Sequence, residues 1–251
     1  MTDEQNRVAL VTGAAQGLGN GIAAAFAGAG YDIAIADLRA SDATAAASAL
    51  ESRGIRAKGL EADVSSRSQV DAMVAKVAAE FGGIDVLVNN AQTTRMASVL
   101  DTTEDDLELV WRSGFAGSLW CMQAAFPHLR ERRGCVINLA SGAGLSANPG
   151  YAIYAATKEA IRTLTRVAAL EWGREGVRVN AISPSARTAA LDRWAAERPE
   201  EYEARAAQIP LGRFGDPEAD IGRVAVFLAS ADAAYITGAT IVADGGAHYL
   251  G

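Results

Sequence analysis

The sequence is poor in lysine, cysteine and histidine, and each scarcity excludes a class of site. Only three of the 251 residues are lysine, and with a net charge of −7 there is no basic run that would bind nucleic acid or an anionic membrane. The two cysteines are too few for a disulfide framework and lie in apolar segments, so we expect buried free thiols. The two histidines lack ligand-like spacing to other metal-binding side chains, so we expect no catalytic metal.

Long apolar runs and low-complexity segments are also missing. No stretch approaches the roughly 18 uninterrupted apolar residues of a membrane span, and residues 1–7 are polar and lack the apolar core of a signal peptide. We therefore expect a soluble, cytoplasmic protein without a membrane partner. A chain of 251 residues, half of them apolar, suits a single large core, so residues 1–251 are predicted to form one domain.

What is present is a regular alternation of short apolar runs with longer amphipathic stretches. Strands are predicted near residues 7–12, 31–36, 56–62, 84–89, 134–140, 177–182 and 239–243. Helices are predicted near residues 18–29, 41–53, 67–81, 104–130, 152–173 and 217–229. This order is typical of an α/β fold in which helices cover both faces of a parallel sheet.

A tyrosine and a lysine four residues apart, Tyr154 and Lys158, lie within one predicted helix, and Ser141 precedes them. Residues four apart share a helix face, so the phenol and the ammonium can point into one site. A free phenol has a pKa near ~10, and a neighbouring cation lowers it, which suits an acid-base pair. Such pairs also occur on ordinary solvated helices, so the spacing alone leaves both interpretations open.

A glycine-rich turn, Thr-Gly-Ala-Ala-Gln-Gly-Leu-Gly at residues 12–19, follows the first predicted strand and opens an alanine-rich helix. In this arrangement backbone N–H groups and the positive end of the helix can hold a pyrophosphate. Asp37 ends the second strand, where an acidic residue can bind a ribose 2′-hydroxyl and repel a 2′-phosphate. NAD is therefore favoured over NADP. Arg39 is the opposing signal, because its guanidinium could reach a 2′-phosphate. The turn could also be only a tight connection, and Asp37 a solvated strand end.

Together these motifs resemble the short-chain dehydrogenase/reductase family across nearly the whole chain. The further matches are Asp63-Val64, Asn89-Asn90-Ala91, the Val-Asn-Ala-Ile-Ser-Pro run at 179–184, residues 212–218 and residues 235–246. The resemblance implies a Rossmann-like, doubly wound, seven-stranded parallel sheet. In such a sheet the ligand crevice lies beyond the carboxyl ends of the strands, where these motifs fall. The residues implied to bind the cofactor are Gly13, Gln16, Gly17, Leu18, Gly19, Asp37, Leu38, Asp63, Val64, Asn90, Ala91, Tyr154, Lys158, Pro184 and Thr188.

The same resemblance assigns the chemistry. Tyr154 would be the general base in alcohol oxidation and the acid in ketone reduction, while Lys158 would bind the nicotinamide ribose and lower the pKa of Tyr154. Ser141 would hydrogen-bond the substrate oxygen. The implied substrate is a small secondary alcohol or ketone. Because most members of the family are tetramers, the resemblance also implies a homotetramer. A nucleotide-binding sensor or scaffold that has lost catalysis is the alternative.

Three positions depart from the family pattern. Gln92 stands where a glycine is usual and should either contact substrate or face solvent, and Ser185 replaces another usual glycine. Gly114 stands where the family usually carries the asparagine that holds a water beside the lysine. We expect Gly114 to distort its helix and hold that water through its carbonyl, so that the enzyme stays active; alternatively, the alignment is shifted by one turn and Gly114 is an ordinary helix break.

The substrate pocket is expected to involve Gln92, Ala143, Leu145, Tyr151, Ser185 and Trp194. Residues 188–210, which are rich in charge and alanine, would form a lid over the site. A solvated helix is the other interpretation of this segment.

Overall fold

The computed structural model describes residues 6–146 and 148–248, and a parallel sheet runs through its centre. Within those residues the strands are β1 Val8–Thr12, β2 Asp32–Asp37, β3 Ala57–Glu61, β4 Val86–Asn89, β5 Cys135–Leu139, β6 Arg178–Pro184 and β7 Thr240–Ala243. All neighbouring pairs are parallel, in the order β3-β2-β1-β4-β5-β6-β7. The predicted doubly wound, seven-stranded sheet is confirmed.

Helices connect consecutive strands and cover the sheet. They are α1 Gly17–Gly28, α2 Ala40–Glu51, α3 Arg67–Phe81, α4 Glu104–Trp111, α5 Gly117–Arg132, α6 Ala143–Ser146, α7 Ala152–Trp172, α8 Ala189–Glu197, α9 Pro199–Ala206 and α10 Arg223–Ala229. Segments Arg112–Ala116 and Pro217–Gly222 are π-helical, and Gly173–Glu175 and Ala231–Ala233 form short 3₁₀ turns.

The apolar runs of β1, β2, β4 and β5 are continuous because both faces of the sheet are buried there. In β1, Ala9 and Val11 pack with residues of α1, α2 and α10 on one face. Val8 and Leu10 pack with residues of α3, α5 and α7 on the other. Successive strand residues point to opposite faces, so one five-residue strand contributes to both halves of the core.

The predicted helix at 104–130 is interrupted. After α4, the backbone widens into the π-helical segment Arg112–Ala116, centred on Gly114, and then continues as α5. A local distortion at Gly114 was expected and is confirmed. The helix predicted at 217–229 likewise begins as a π-helix before α10.

The chain order reverses on either side of β1, which is flanked by β2 and β4. At such a switch point the loops leaving the carboxyl ends diverge and leave a crevice between them. None of the helices in the described ranges combines the length and apolar character that crossing a membrane requires.

Candidate active site

A cavity of about 530 Å³ opens at this switch point. Of the residues predicted to bind cofactor or carry the chemistry, the lining contains Gly13, Gln16, Leu18, Asp37, Leu38, Asp63, Val64, Asn90, Ala91, Ser141, Tyr154, Lys158, Pro184 and Thr188. They come from segments as far apart as residues 13 and 188, so the fold brings the separate motifs to one place. Gly17 and Gly19 shape the turn without lining the cavity.

The glycine turn packs closely against the residues that follow β4. Gly13 has a left-handed backbone with φ +63°, and a Cβ there would lie 2.8 Å from Ala91 Cα. A Cβ on Gly19 would lie 2.5 Å from the Asn90 side-chain nitrogen. Asn90 fixes this contact by donating from Nδ2 to the carbonyls of Thr12 and Gly13, both at 2.9 Å. Only glycine allows so close an approach.

The N-terminus of α1 suits a phosphate group. Gln16, its N-cap, makes no side-chain capping hydrogen bond, and the first turn holds no acidic residue. The uncapped N–H groups and the helix dipole therefore favour an anion at this end of the cavity. The described residues thus fit the phosphates of a dinucleotide.

Asp37 is held at the end of β2 beside the glycine turn. Its Oδ2 accepts the N–H of Ala15 at 3.0 Å, and its Oδ1 accepts the N–H of Leu38 at 2.8 Å. Arg39, the residue that would favour a 2′-phosphate, forms an ion pair with Asp42 on the first turn of α2. Its guanidinium is therefore already engaged with a carboxylate.

Tyr154 lies in the first turn of α7 next to Ser141, which follows β5. Burial raises the pKa of Tyr154, the Ser141 hydrogen bond lowers it, and the neighbouring Tyr151 raises it further. The net direction is opposite to the expected lowering. Burial disfavours the phenolate more strongly than the Ser141 hydroxyl favours it.

Lys158 is almost completely enclosed, with 4% of its surface exposed. Its Nζ donates to the carbonyl of Leu139 at 2.7 Å and lies 5.5 Å from the Tyr154 ring centroid. Desolvation lowers the pKa of Lys158 to about 7. The pKa of Tyr154 is therefore set by burial, by Ser141 and by Tyr151, and not by the expected cationic lysine.

Gln92 lies against the π-helical segment. A Cβ at Gly114 would lie 2.9 Å from both Cδ and Nε2 of Gln92 and 2.5 Å from the methyl carbon of Thr157. Both polar atoms of Gln92 are buried, so of the two alternatives for this side chain the solvent-facing one is wrong. Other atoms of Gln92 line the main cavity. The carbonyl of Gly114 accepts the N–H of Gly117, which uses one of its lone pairs.

The other predicted substrate residues stand outside the lining of this cavity. Tyr151 packs edge-to-face on Tyr154, with ring centroids 6.0 Å apart. Ser185 lines a second cavity behind β6 and β7, and Trp194 packs on Tyr202 within the segment 188–210. Ala143 donates its N–H to Ser141 Oγ, and Leu145 lies beside it in α6.

Several lining residues were not predicted. Ala62 and Ala140 directly follow β3 and β5, so the rule that ligands collect beyond strand ends would have found them. Ser113, Thr93 and Thr94 carry no such signal. They reach the cavity because Ser113 Oγ accepts the N–H of Thr93 at 3.1 Å and ties the loop after β4 to the π-helical segment.

The remaining reactive residues lie outside the site. Cys121 and Cys135 are free and buried as predicted, and burial raises their pKa values to about 12 and about 11. Across the described ranges, no three His, Cys, Asp or Glu side chains are grouped as metal ligands would be.

Comparison with known proteins gives one consistent picture. A family model described as Enoyl-(Acyl carrier protein) reductase matches residues 13–248. The chain is 43% identical to the 12α-hydroxysteroid dehydrogenase of a Clostridium species, over 96% of each sequence. It is 41% identical to the galactitol 2-dehydrogenase of Agrobacterium fabrum, covering 96% of this chain and 97% of the relative.

A third relative, the meso-2,3-butanediol dehydrogenase of Serratia marcescens, is 39% identical over 96% of this chain and 94% of its own. Among solved structures, a Sinorhizobium meliloti protein described as a short-chain alcohol dehydrogenase superposes with a TM-score of 0.90 at 36% identity. The match covers 98% of this chain and 97% of that one.

Proposed function

The chain belongs to the short-chain dehydrogenase/reductase family of oxidoreductases, which use nicotinamide dinucleotides, and we propose that it interconverts a secondary alcohol and a ketone with NAD. The observation that carries the proposal is the convergence of Ser141, Tyr154 and Lys158 on one cavity with the glycine turn. Three similar proteins are named as dehydrogenases of a steroid hydroxyl, a sugar alcohol and a diol, so a secondary alcohol is the shared chemistry.

Different residues of the cavity would bind the cofactor and transfer the proton. The glycine turn and Asp63 to Val64 would hold the adenosine end of the cofactor, and Asn90, Ala91, Pro184 and Thr188 its nicotinamide half. NAD supplies the hydride acceptor in alcohol oxidation. Ser141 would position the substrate oxygen, and Tyr154 would take its proton as the hydride leaves the carbon. Because burial raises the pKa of Tyr154, deprotonation needs a positive charge nearby, which Lys158 carries when protonated.

The engagement of Asp37 and Arg39 supports NAD over NADP. Asp37 presents a carboxylate fixed by two backbone N–H groups, whereas Arg39 is paired with Asp42. Loss of a hydrogen bond to a charged group costs roughly 1.5–3 kcal/mol, so Asp37→Ser should shift the ratio of kcat/KM values toward NADP by about tenfold to a hundredfold. Arg39→Ala is the matched control, and its preference for NAD over NADP should be unchanged. An Asp37→Ser variant with an unchanged ratio would contradict the assignment.

We infer that residues 188–210 close over the cavity. Thr188 lines it and caps α8 by accepting the N–H of Leu191 at 3.2 Å. Gly215, which follows the segment, is bound to the chain that precedes it. Its carbonyl accepts the N–H of Arg187, and its own N–H donates to the carbonyl of Ser185. The Thr188 cap and the Gly215 hydrogen bonds fix the two ends of the segment that contains α8 and α9. A lid needs such fixed ends around a part that moves.

A homotetramer accounts for apolar side chains exposed on α4 and α7. Leu107, Trp111, Val167 and Leu170 are 49%, 38%, 45% and 85% exposed, respectively. Exposed apolar side chains on these two neighbouring helices are what an interface between copies of the chain would cover. Light scattering coupled to gel filtration measures the oligomeric state directly, and a monomer at micromolar concentration would contradict the proposal.

The decisive experiment is a spectrophotometric NAD-reduction screen over a 12α-hydroxysteroid, galactitol, meso-2,3-butanediol and related secondary alcohols. Tyr154→Phe removes only the phenolic oxygen and should reduce kcat by roughly 10²- to 10⁴-fold while NADH binding, followed by fluorescence, is retained. A wild-type protein that binds NADH but reduces nothing in the screen, or a fully active Tyr154→Phe variant, would favour a non-catalytic nucleotide sensor.

A further inference from the structure

We propose that His248 is a positioning residue, whose imidazole packs on Gly142 and thereby holds the hydroxyl of Ser141 where it would meet the substrate oxygen. This inference rests on the proposed function, because it concerns the side chain that would bind that oxygen. His248 lies beyond the last family motif, and its sequence context gives it no role. The structure brings it back to the residue that follows Ser141.

The C-terminal turn, residues 244–248, is built around one buried carboxylate. Asp244 directly follows β7. Its Oδ1 accepts the N–H groups of Gly246 and Ala247, at 2.9 and 3.1 Å, and its Oδ2 accepts the N–H of His248 at 2.8 Å. Oδ2 also lies 2.9 Å from Nδ1 of the imidazole, and because a carboxylate only accepts hydrogen bonds, Nδ1 is the donor. The backbone and the ring of His248 are therefore fixed by the same group.

The fixed ring lies against Gly142. A Cβ built on Gly142 would lie 2.6 Å from both Nδ1 and Cε1 of His248, closer than packed atoms come, and 3.1 Å from Nε2. Gly142 is not among the glycines with positive φ, so its backbone conformation is open to other residues. What excludes a side chain at position 142 is the imidazole, which occupies that space.

Gly142 in turn supports the short helix α6 and the Ser141 hydroxyl. Its carbonyl accepts the N–H groups of Leu145 and Ser146, at 2.9 and 3.0 Å, and the Ser146 hydroxyl at 3.1 Å. Ala143, the first residue of α6, donates its N–H to Ser141 Oγ at 3.2 Å. A displacement of Gly142 would therefore move both the backbone of Ser141 and the N–H group that its hydroxyl accepts.

The C-terminal turn is itself supported at the end of the proposed lid. Leu211 donates its N–H to the carbonyl of Gly245 at 3.2 Å. A Cβ on Gly245 would lie 2.7 Å from Ile209 Cγ2, so the two segments approach as closely as a glycine allows. The imidazole thus packs on Gly142 from a turn that is held on two sides, by β7 and by the chain that follows the lid.

His248→Ala tests the positioning role, and the matched control is His128→Ala, which changes the other histidine, on α5. On the fastest alcohol of the NAD-reduction screen, His248→Ala should lower kcat roughly tenfold, because a small misplacement of a group at the reacting atoms is costly. The KM for NAD should stay within about twofold, since the cofactor residues are unchanged. His128→Ala should leave both constants within about twofold of wild type.

His248→Asn is the conservative variant. Its amide nitrogen takes the place of Nδ1, so it keeps the hydrogen bond to Asp244 and one of the atoms that touch Gly142. We expect kcat to recover by roughly threefold or more over His248→Ala. An asparagine variant as slow as the alanine variant would contradict the role given to the Asp244 hydrogen bond.

A double-mutant cycle shows whether His248 acts through Ser141. Ser141→Ala alone should lower kcat by roughly 10²- to 10³-fold, as is typical when one donor to the reacting oxygen is removed. If His248 only holds that hydroxyl, adding His248→Ala to Ser141→Ala should lower kcat by less than about twofold more. Two losses that multiply would mean that His248 acts elsewhere.

The contact between His248 and Gly142 is tested without catalysis. Gly142→Ala should lower the melting temperature by roughly 2–10 °C, because the new Cβ meets the imidazole. In a His248→Ala background the same change should lower it by less than about 1 °C, since the ring is gone. Equal losses in the two backgrounds would show that the imidazole does not fill position 142.

The inference is overturned if His248→Ala keeps kcat within about twofold of wild type, or if its loss multiplies with that of Ser141→Ala. An inactive wild type, or an active Tyr154→Phe variant, would instead overturn the proposed function. The melting temperatures of the Gly142→Ala variants would still report in that case whether His248 supports the loop that carries Ser141.

Discussion

The burial of Lys158 leads to a quantitative prediction about stability. Burial lowers its pKa from 10.5 to about 7, a difference of three to four units. At 1.36 kcal/mol per unit, keeping the charged form inside the folded protein costs about 5 kcal/mol well below pH 7. Replacing the lysine by methionine removes this cost but leaves the Leu139 carbonyl without its donor, which costs about 1–3 kcal/mol. Lys158→Met should therefore stabilise the protein at pH 6 by about 2–4 kcal/mol.

The pH dependence follows from the direction of the shift. Between pH 7 and pH 10.5 the unfolded chain binds a proton at this lysine that the folded chain does not, so the unfolding free energy of the wild type rises with pH. Between pH 6 and pH 9 the wild type should gain about 2–3 kcal/mol relative to Lys158→Met, and near pH 9 the two should be about equally stable.

Urea denaturation without cofactor at pH 6, 7, 8 and 9 measures this difference. The matched control is replacement by methionine of Lys76, a lysine that is exposed to solvent in the folded protein. If the difference between wild type and Lys158→Met changes by less than about 0.5 kcal/mol over this range, burial does not shift the lysine and the reasoning fails. Lys158→Met should also be inactive, so stability and function would change in opposite directions.

Two further predictions concern packing and reactivity. Gly19→Ala places a Cβ 2.5 Å from Asn90 Nδ2 and should cost about 1–3 kcal/mol of stability and weaken NADH binding. Gly173→Ala, which meets no atom within 4 Å, is the control, and equal melting temperatures for the two variants would contradict the packing argument. Cys121 and Cys135 have raised pKa values and are buried, so a thiol reagent should label them only after denaturation. Rapid labelling of the native protein would show that these segments open.

The fold was predictable to a large extent because the signals are local. Most strands are short apolar runs alternating with amphipathic stretches, so the seven strands and the main helices fall within a few residues of the predicted ranges. The π-helical segment Arg112–Ala116 was foreseen only as a distortion at Gly114. Its form depends on hydrogen bonds such as that from Ser113 Oγ to the Leu109 carbonyl at 2.7 Å, which a helical pattern does not reveal.

The site was predictable as a set of residues but not as an electrostatic environment. Ser141, Tyr154 and Lys158 line one cavity, as their motifs suggested. The pKa of Tyr154, however, moves up and not down, because the surrounding groups bury the phenol. The predicted substrate residues Ser185 and Trp194 lie outside the lining, since the backbone turns after β6 carry them elsewhere.

The sequence by itself determined which groups are available: a glycine turn that admits phosphate, a carboxylate after the second strand, and a tyrosine and lysine on one helix face. These follow from residue type and spacing, which are local properties. Only the tertiary structure decided the burial that lowers the pKa of Lys158 and the packing of Gln92 against Gly114. Desolvation and packing depend on neighbours far along the chain, and those neighbours are adjacent only after folding.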